Sequence, residues 1–210
     1  MKRAPFHIAV SGLIGAGKST LVTGMAPLLD AQPLPERFDR NPYLANFYEE
    51  PQRWAFQSFM FFFEQSLSDE VAVRRDEVSA LQERVIEEHV RVFGDVFRAR
   101  GYLNGSELEL LERLAEVSGS LLAPSDLLIH VDIDPAEALR RIRARALRTE
   151  RAIDLEYLQA LNARYARFVD GWSESPVLRL RAEEHDFRDG AHLHVLAATV
   201  EDAMGAAVST

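Results

Sequence analysis

The chain has 210 residues, 47% hydrophobic and 27% charged, with a formal net charge of −9 and no cysteine. That length suits one domain with a substantial core. The acidic balance argues against a general affinity for nucleic-acid polymers or membrane surfaces, and the missing thiols exclude disulfides and thiolate metal sites.

Met1-Lys2-Arg3-Ala4-Pro5 leads directly into Phe6-His7-Ile8-Ala9-Val10, so no signal peptide is expected, and the apolar run fits a buried strand. Next comes Gly12-Leu13-Ile14-Gly15-Ala16-Gly17-Lys18-Ser19-Thr20, which matches G-x-x-x-x-G-K-[ST] at every fixed position. Leu21, Met25 and Leu28-Leu29 then recur at helical spacing. Strand, glycine loop and helix are the context a phosphate-binding loop requires. The backbone N–H groups turn inward on phosphate oxygens and the helix N-terminus adds a positive dipole end. Lys18, expected to face solvent and ligand, would reach the β- and γ-phosphates of ATP, and Ser19 would ligate Mg²⁺.

Ala31 to Arg37, punctuated by Pro33 and Pro35, suits a second strand ending near Glu36. Asn41-Pro42 is a helix-start signal with Asn41 as cap. Pro51 opens a helix through Trp54, Phe56, Phe59 and Phe63 toward Arg75. The most apolar run in it, Phe56 to Phe63, is far too short to span a bilayer. Val78 to Val85 fits a helix as well as a strand. Glu87 to Arg100 reads as helix stopped by Gly101, and Ser106-Glu107-Leu108-Glu109 as a capping box opening another. Asp126 to Ile133 is a parallel-sheet strand, and Asp134-Pro135 caps an arginine-rich helix. Asp154 to Trp172 is amphipathic helix, Val177 to Leu180 a last strand, and Asp189 to Ala206 a closing helix. This alternation predicts an α/β fold in one domain, 1–210.

Ligands bind at the carboxyl ends of strands in such sheets. Glu36 at the end of the second strand is a candidate base for an acceptor hydroxyl, or a solvated loop carboxylate. Glu83-Arg84 is either an acid–base pair that neutralises a moving phosphoryl group or a surface ion pair. Arg141, Arg145 and Arg148 share one helix face. They form a basic lid over a triphosphate, or a solvated face that Glu137 and Glu150 partly neutralise. The guanine-reading N-K-x-D is missing, and no strand-terminal Asp clearly acts as a Walker B residue. His192-x-His194 is the only hint of metal spacing among the histidines, and a terminal helix or turn explains it more simply.

Taken together these pieces resemble the deoxynucleoside kinase family, in particular its bacterial deoxyadenosine/deoxyguanosine kinase branch. The resemblance rests on the glycine loop, Glu36, Asn41-Pro42-Tyr43-Leu44, Phe47-Tyr48-Glu49-Glu50-Pro51 with Trp54-Ala55-Phe56-Gln57, Glu83-Arg84, the run Asp126 to Arg145, Ile153 with Leu155-Glu156-Tyr157-Leu158, and Asp186-Phe187. It implies a P-loop three-layer α/β/α fold with a five-stranded parallel sheet, Val78–Val85 included, and an arginine-rich lid at about 141–153. It implies a cytoplasmic salvage enzyme that uses ATP and Mg²⁺ to phosphorylate the 5′-hydroxyl of a deoxynucleoside, purines foremost. Glu36 would be the base. Arg84 would hold the 5′-oxygen, and Glu83 would stand near Mg²⁺. Tyr48 and Glu150 would bind the sugar 3′-hydroxyl, Phe93 would stack on the base, Arg145 would belong to the lid, and Asp186-Phe187 would lie beside adenine. A homodimer, or a heterodimer with a related subunit, is implied through helices around 85–101 and 154–172.

The sequence also departs from the family. Val85 replaces a common Ser, and Leu147 the second lid arginine, for which Arg148 is a substitute. Phe59, Ser66 and His89 stand where members often carry Gln, Arg and Asp around the base, with Gln57 about 200° away around the helix. Looser base selectivity is expected, changing between about pH 5.5 and 7.5 if His89 bonds the base. Two other readings stay open: a thymidylate-kinase-like nucleoside monophosphate kinase, and a nucleotide-binding subunit with weak or no turnover.

Overall fold

In the computed structural model, which describes residues 4–207, five parallel strands form one sheet of order β2-β3-β1-β4-β5. The strands are β1 (His7–Gly12), β2 (Gln32–Leu34), β3 (Ala80–Glu83), β4 (Leu127–Asp132) and β5 (Val177–Arg181). β1 lies at the centre, with Val10 opposite Glu83 on one side and Ile129 on the other. β1, β3 and all of β4 but its last residue are buried, the pattern of strands covered on both faces. The doubtful Val78–Val85 segment thus holds a strand, Ala80–Glu83. Its register beside β1 buries Ala80 and Leu81 in the core, which its local periodicity could not indicate.

Helices α1 (Lys18–Met25), α2 (Leu44–Glu49), α3 (Pro51–Arg75), α4 (Ile86–Glu88), α5 (Asp95–Ala99), α6 (Gly105–Leu121), α7 (Pro135–Arg145), α8 (Leu155–Asp170) and α9 (Gly190–Ala207) surround the sheet. α4 and α5 are joined by a π-helical stretch, His89–Gly94, a feature often found at functional sites. Two caps differ from expectation. Asn41 accepts from Tyr43 N within a turn, and the helix starts only at Leu44. The capping box of α6 is Asn104 with Glu107, two residues ahead of the predicted one. Asp134 and Asp154 cap α7 and α8 as read. Among the described residues no helix is long and apolar enough to cross a membrane.

Candidate active site

The carboxyl ends of β1, β2 and β3 converge on a cleft of about 310 Å³. At the end of β1, Gly12 adopts φ +139°, and a Cβ there would stand 2.5 Å from the Val131 carbonyl oxygen. Gly17 precedes α1 with φ +99°, again a conformation that favours glycine. These backbone turns aim the loop at the helix N-terminus, a position whose free N–H groups suit an anion. Lys18 is not solvent-facing as expected. It is only 3% exposed, donates to the Leu13 carbonyl at 3.0 Å, and lies 3.5 Å from Glu83 Oε1. Burial, then the Arg84 charge, lowers its pKa.

Glu83, the last residue of β3, accepts from Ser19 Oγ at 2.7 Å and from the Glu36 backbone N–H at 3.2 Å. Burial pushes its pKa up, but Lys18, Arg84 and these bonds outweigh that and hold it low. Glu36 follows β2 and lines the same cleft. Its pKa is raised, chiefly by burial, with Arg84 opposing and Glu83 adding. Two neighbouring carboxylates are therefore driven apart, one kept ionised and one made more basic, the pattern of an assigned acid–base pair.

Arg84 sits one residue past β3 with φ +65°, a conformation that costs a non-glycine residue about 1–3 kcal/mol. Its Nε stands 2.8 Å from Glu36 Oε1 but makes no hydrogen bond of ordinary geometry, so that contact is mainly Coulombic. Its Nη1 donates instead to Glu88 Oε1 and Tyr165 OH. Its guanidinium carbon lies 4.6 Å from the centre of the Phe93 ring. Burial disfavours its charge, yet Glu36, Tyr165 and Glu88 raise its pKa well above the usual value.

Beyond these charges the cleft turns aromatic. Phe47, Phe59, Phe62, Phe93 and Phe97 line it, with Leu44, Ser58 and His89. His89 bonds Ser66 Oγ at 2.8 Å, so the positions where the family carries Asp and Arg hold a neutral pair here. Burial and the Arg84 charge lower the His89 pKa to about 3. Phe59 lines the wall as expected, whereas Gln57 is exposed on the far face of α3 and does not line the cleft. Tyr48 and Glu150 also meet in the cleft wall, where burial and then Glu150 raise the Tyr48 pKa.

The arginine-rich segment is only partly in place. Arg145 reaches the cleft and pairs with Glu150 through Nε at 2.6 Å. Arg141 does not reach it. Its Nε bonds Glu137 at 2.8 Å and its Nη2 the Ala182 carbonyl at 3.2 Å, so the expected three-arginine face is divided. The Arg148 side chain lies outside the described residues. Phe187 packs against Gly17 behind the loop and is buried, while Asp186 accepts from Arg188 N nearby. Tyr157, Leu158, Leu161, Tyr165 and Phe168 of α8 are buried within this chain, as its amphipathic pattern implies.

Sequence reasoning missed Phe38, Tyr157, Glu88 and Tyr165. Glu88 lies four residues after Arg84, but Arg84 stands before α4 in a left-handed conformation, so helical spacing was no guide to the pair. Tyr165 is 81 residues from Arg84 and left no signal.

Comparisons with known proteins agree with this geometry. A sequence profile described as deoxynucleoside kinase matches residues 8–201. A deoxyadenosine kinase of Dictyostelium discoideum is 31% identical over 179 residues, covering 85% of this chain and 73% of that protein. A deoxyadenosine/deoxycytidine kinase of Bacillus subtilis is 29% identical over 181 residues, covering 85% and 83%. In fold, the chain is similar to a deoxyadenosine kinase from M. mycoides solved with dCMP and dCDP. The TM-score is 0.78 at 20% identity, covering 93% of this chain and 99% of that one.

Proposed function

The chain belongs to the deoxynucleoside kinase family, and from that premise we propose that it transfers the γ-phosphoryl group of ATP to the 5′-hydroxyl of a deoxynucleoside, purines foremost. The observation that carries this reading is the Glu36–Arg84–Glu83–Lys18 cluster beside an aromatic cleft. Glu36 takes the proton of the acceptor hydroxyl. The 5′-oxygen forms a bond to the γ-phosphorus as the bond to the β-phosphate oxygen breaks, and ADP leaves. Arg84 and Lys18 neutralise the charge on the moving group, which is most of what phosphoryl transfer asks of a protein.

Mg²⁺ fits the donor set. Ser19 and Glu83 offer hard oxygens that already meet at 2.7 Å. Among the described residues no cluster of three or more His, Cys, Asp or Glu is placed to hold a metal, and Mg²⁺ generally keeps phosphate and water ligands. Bound with ATP, Mg²⁺ supplies charge neutralisation at the phosphates. Ser19 and Glu83 would hold it, and Lys18 keeps Glu83 ionised for that task.

A nucleoside acceptor is favoured over a nucleoside monophosphate by how the nearby cations are used. Arg37 is paired with Asp69 at 3.0 Å, and Arg53 is exposed beside Glu50 and over the Trp54 ring. Arg40 is exposed and outside the cleft wall. The acceptor end is instead phenylalanine-rich. Base selectivity should be broad, since Phe59 and the neutral Ser66–His89 pair offer little directed hydrogen bonding. The names of the relatives cover both deoxyadenosine and deoxycytidine.

A dimer goes with this reading, and α6 carries an exposed apolar face. Leu110, Val117 and Leu121 are 47%, 58% and 78% exposed at spacings that form one apolar stripe. A cytoplasmic setting, where ATP is plentiful, goes with it too. The test of function is ATP consumption by the purified chain against a panel of nucleosides and nucleoside monophosphates. Turnover with deoxynucleosides is expected. Turnover with monophosphates alone, or with neither, would overturn the reading.

A further inference from the structure

We propose that Glu88 and Tyr165 are positioning residues that lock Arg84 for the transferred phosphoryl group and, by taking its directed hydrogen bonds, leave Glu36 free to accept a proton. The inference rests on the kinase reading above.

Arginine and carboxylate normally close a two-bonded fork. Were Arg84 to close that fork on Glu36, both carboxylate oxygens would be occupied and the base would be weak. The structure divides the guanidinium otherwise. Nη1 donates to Glu88 Oε1 and to Tyr165 OH, and Tyr165 OH in turn donates to Glu88 Oε1 at 2.5 Å. The three groups close a triangle in which the hydroxyl both accepts and donates, within its capacity. All three are buried, with Arg84 at 3%, Glu88 at 0% and Tyr165 at 1% exposure. Glu36 keeps only the poorly aligned contact to Nε.

The brace is itself held. The Tyr165 ring meets Phe93 edge-on at 6.3 Å and tilts on His130 at 5.7 Å, and His130 Nε2 lies 3.2 Å from Asp132 Oδ1. α8 thereby fixes a guanidinium that follows β3 in a left-handed backbone conformation. The charged groups facing Glu36 are Lys18 from α1 and Glu83 and Arg84 from the end of β3, with the Tyr48 hydroxyl of α2 beside them. Glu88 reaches Glu36 only through Arg84, so its role is to set where that arginine points.

Glu88→Gln keeps shape but loses the charge that draws Nη1 away. The directed bonds of Arg84 then pass to Glu36. The variant should lose at least about tenfold in kcat with little change in the deoxynucleoside KM. Tyr165→Phe keeps the ring and should lower kcat severalfold, again with KM unchanged. A purely structural ion pair predicts something else: lower melting temperatures, with wild-type kcat in the folded fraction. That result would overturn the proposal. If Glu88→Gln does not fold, Tyr165→Phe decides alone, and wild-type kcat in it overturns the proposal. Absence of turnover in the wild-type chain would instead overturn the kinase reading, and this inference with it.

Discussion

Lys18 Nζ lies 3.5 Å from Glu83 Oε1 with the two side chains 3% and 5% exposed, so the lysine of the glycine loop is paired with the carboxylate that also holds Ser19. Breaking a buried pair by removing one partner typically costs about 3–5 kcal/mol, because a charge is left uncompensated. Lys18→Ala should therefore abolish phosphorylation and also lower stability. Adding Glu83→Gln to it should restore much of the stability and none of the activity. Thermal melting and ATP turnover of the single and double variants check this. A Lys18→Ala protein as stable as wild type would show that Glu83 does not depend on the lysine.

Glu36→Gln preserves shape and cannot accept a proton. General-base removal costs about 10²–10⁴-fold in rate, and the loss should fall on kcat. In the wild type, burial raises the Glu36 pKa, with Arg84 opposing. Only the deprotonated form works as a base, so activity should rise with pH through that raised pKa. In Glu36→Gln this limb should vanish. A loss confined to KM would make Glu36 a binding residue.

The part of the site that lies close in sequence was legible. The glycine loop announced itself because strand, turn and helix signals agree over a short span. Glu36 could be placed because parallel strands deliver their last residues to one edge of the sheet, whereas Glu83-Arg84 took its strand from the family resemblance, its own periodicity fitting a helix as well. What failed needed long-range information. The arginine face of α7 could not reveal that Glu137 and the Ala182 carbonyl take Arg141. Nor could periodicity show that α6 leaves Val117 and Leu121 uncovered. Tyr165 becomes a partner of Arg84 only through tertiary packing.

At the base end, the expected pH-dependent selectivity is corrected by the His89 environment. With a pKa of about 3, the imidazole is neutral throughout the working range of the enzyme. The ratios of kcat/KM among deoxyadenosine, deoxyguanosine, deoxycytidine and thymidine should be flat between about pH 5.5 and 7.5. An apolar wall discriminates by about 10–200-fold, whereas directed hydrogen bonds reach about 10⁴-fold. Selectivity should thus stay within the lower range, and His89→Ala should shift it by altering the wall next to Phe59 and Phe62. A preference well above about a thousandfold that survives His89→Ala would sink this account.

Glu70 on α3 gives a stability prediction outside the cleft. The residue is 7% exposed, and its Oε1 has no hydrogen-bond partner. Burial, with the Glu87 charge adding, raises its pKa from 4.5 to about 8. Between those two values the folded chain holds a proton that the unfolded chain has released. Its contribution is therefore fully present below pH 4.5 and lost as pH rises toward 8. Glu70→Gln should remove that slope and stabilise the protein at pH 8 by on the order of a few kcal/mol, each worth about 2–4 °C in melting temperature at this size. His7 works in the opposite sense. Burial and Arg74 lower its pKa from 6.5 to about 4, so stability falls as pH drops through that window. The clean measurement is thus the difference in melting temperature between Glu70→Gln and wild type, at pH 5 and at pH 8. It should be small at the lower pH and favour the variant at the higher. An equal difference at both would mean that Glu70 is ionised in the fold and that its carboxylate is stabilised by a group other than those named here.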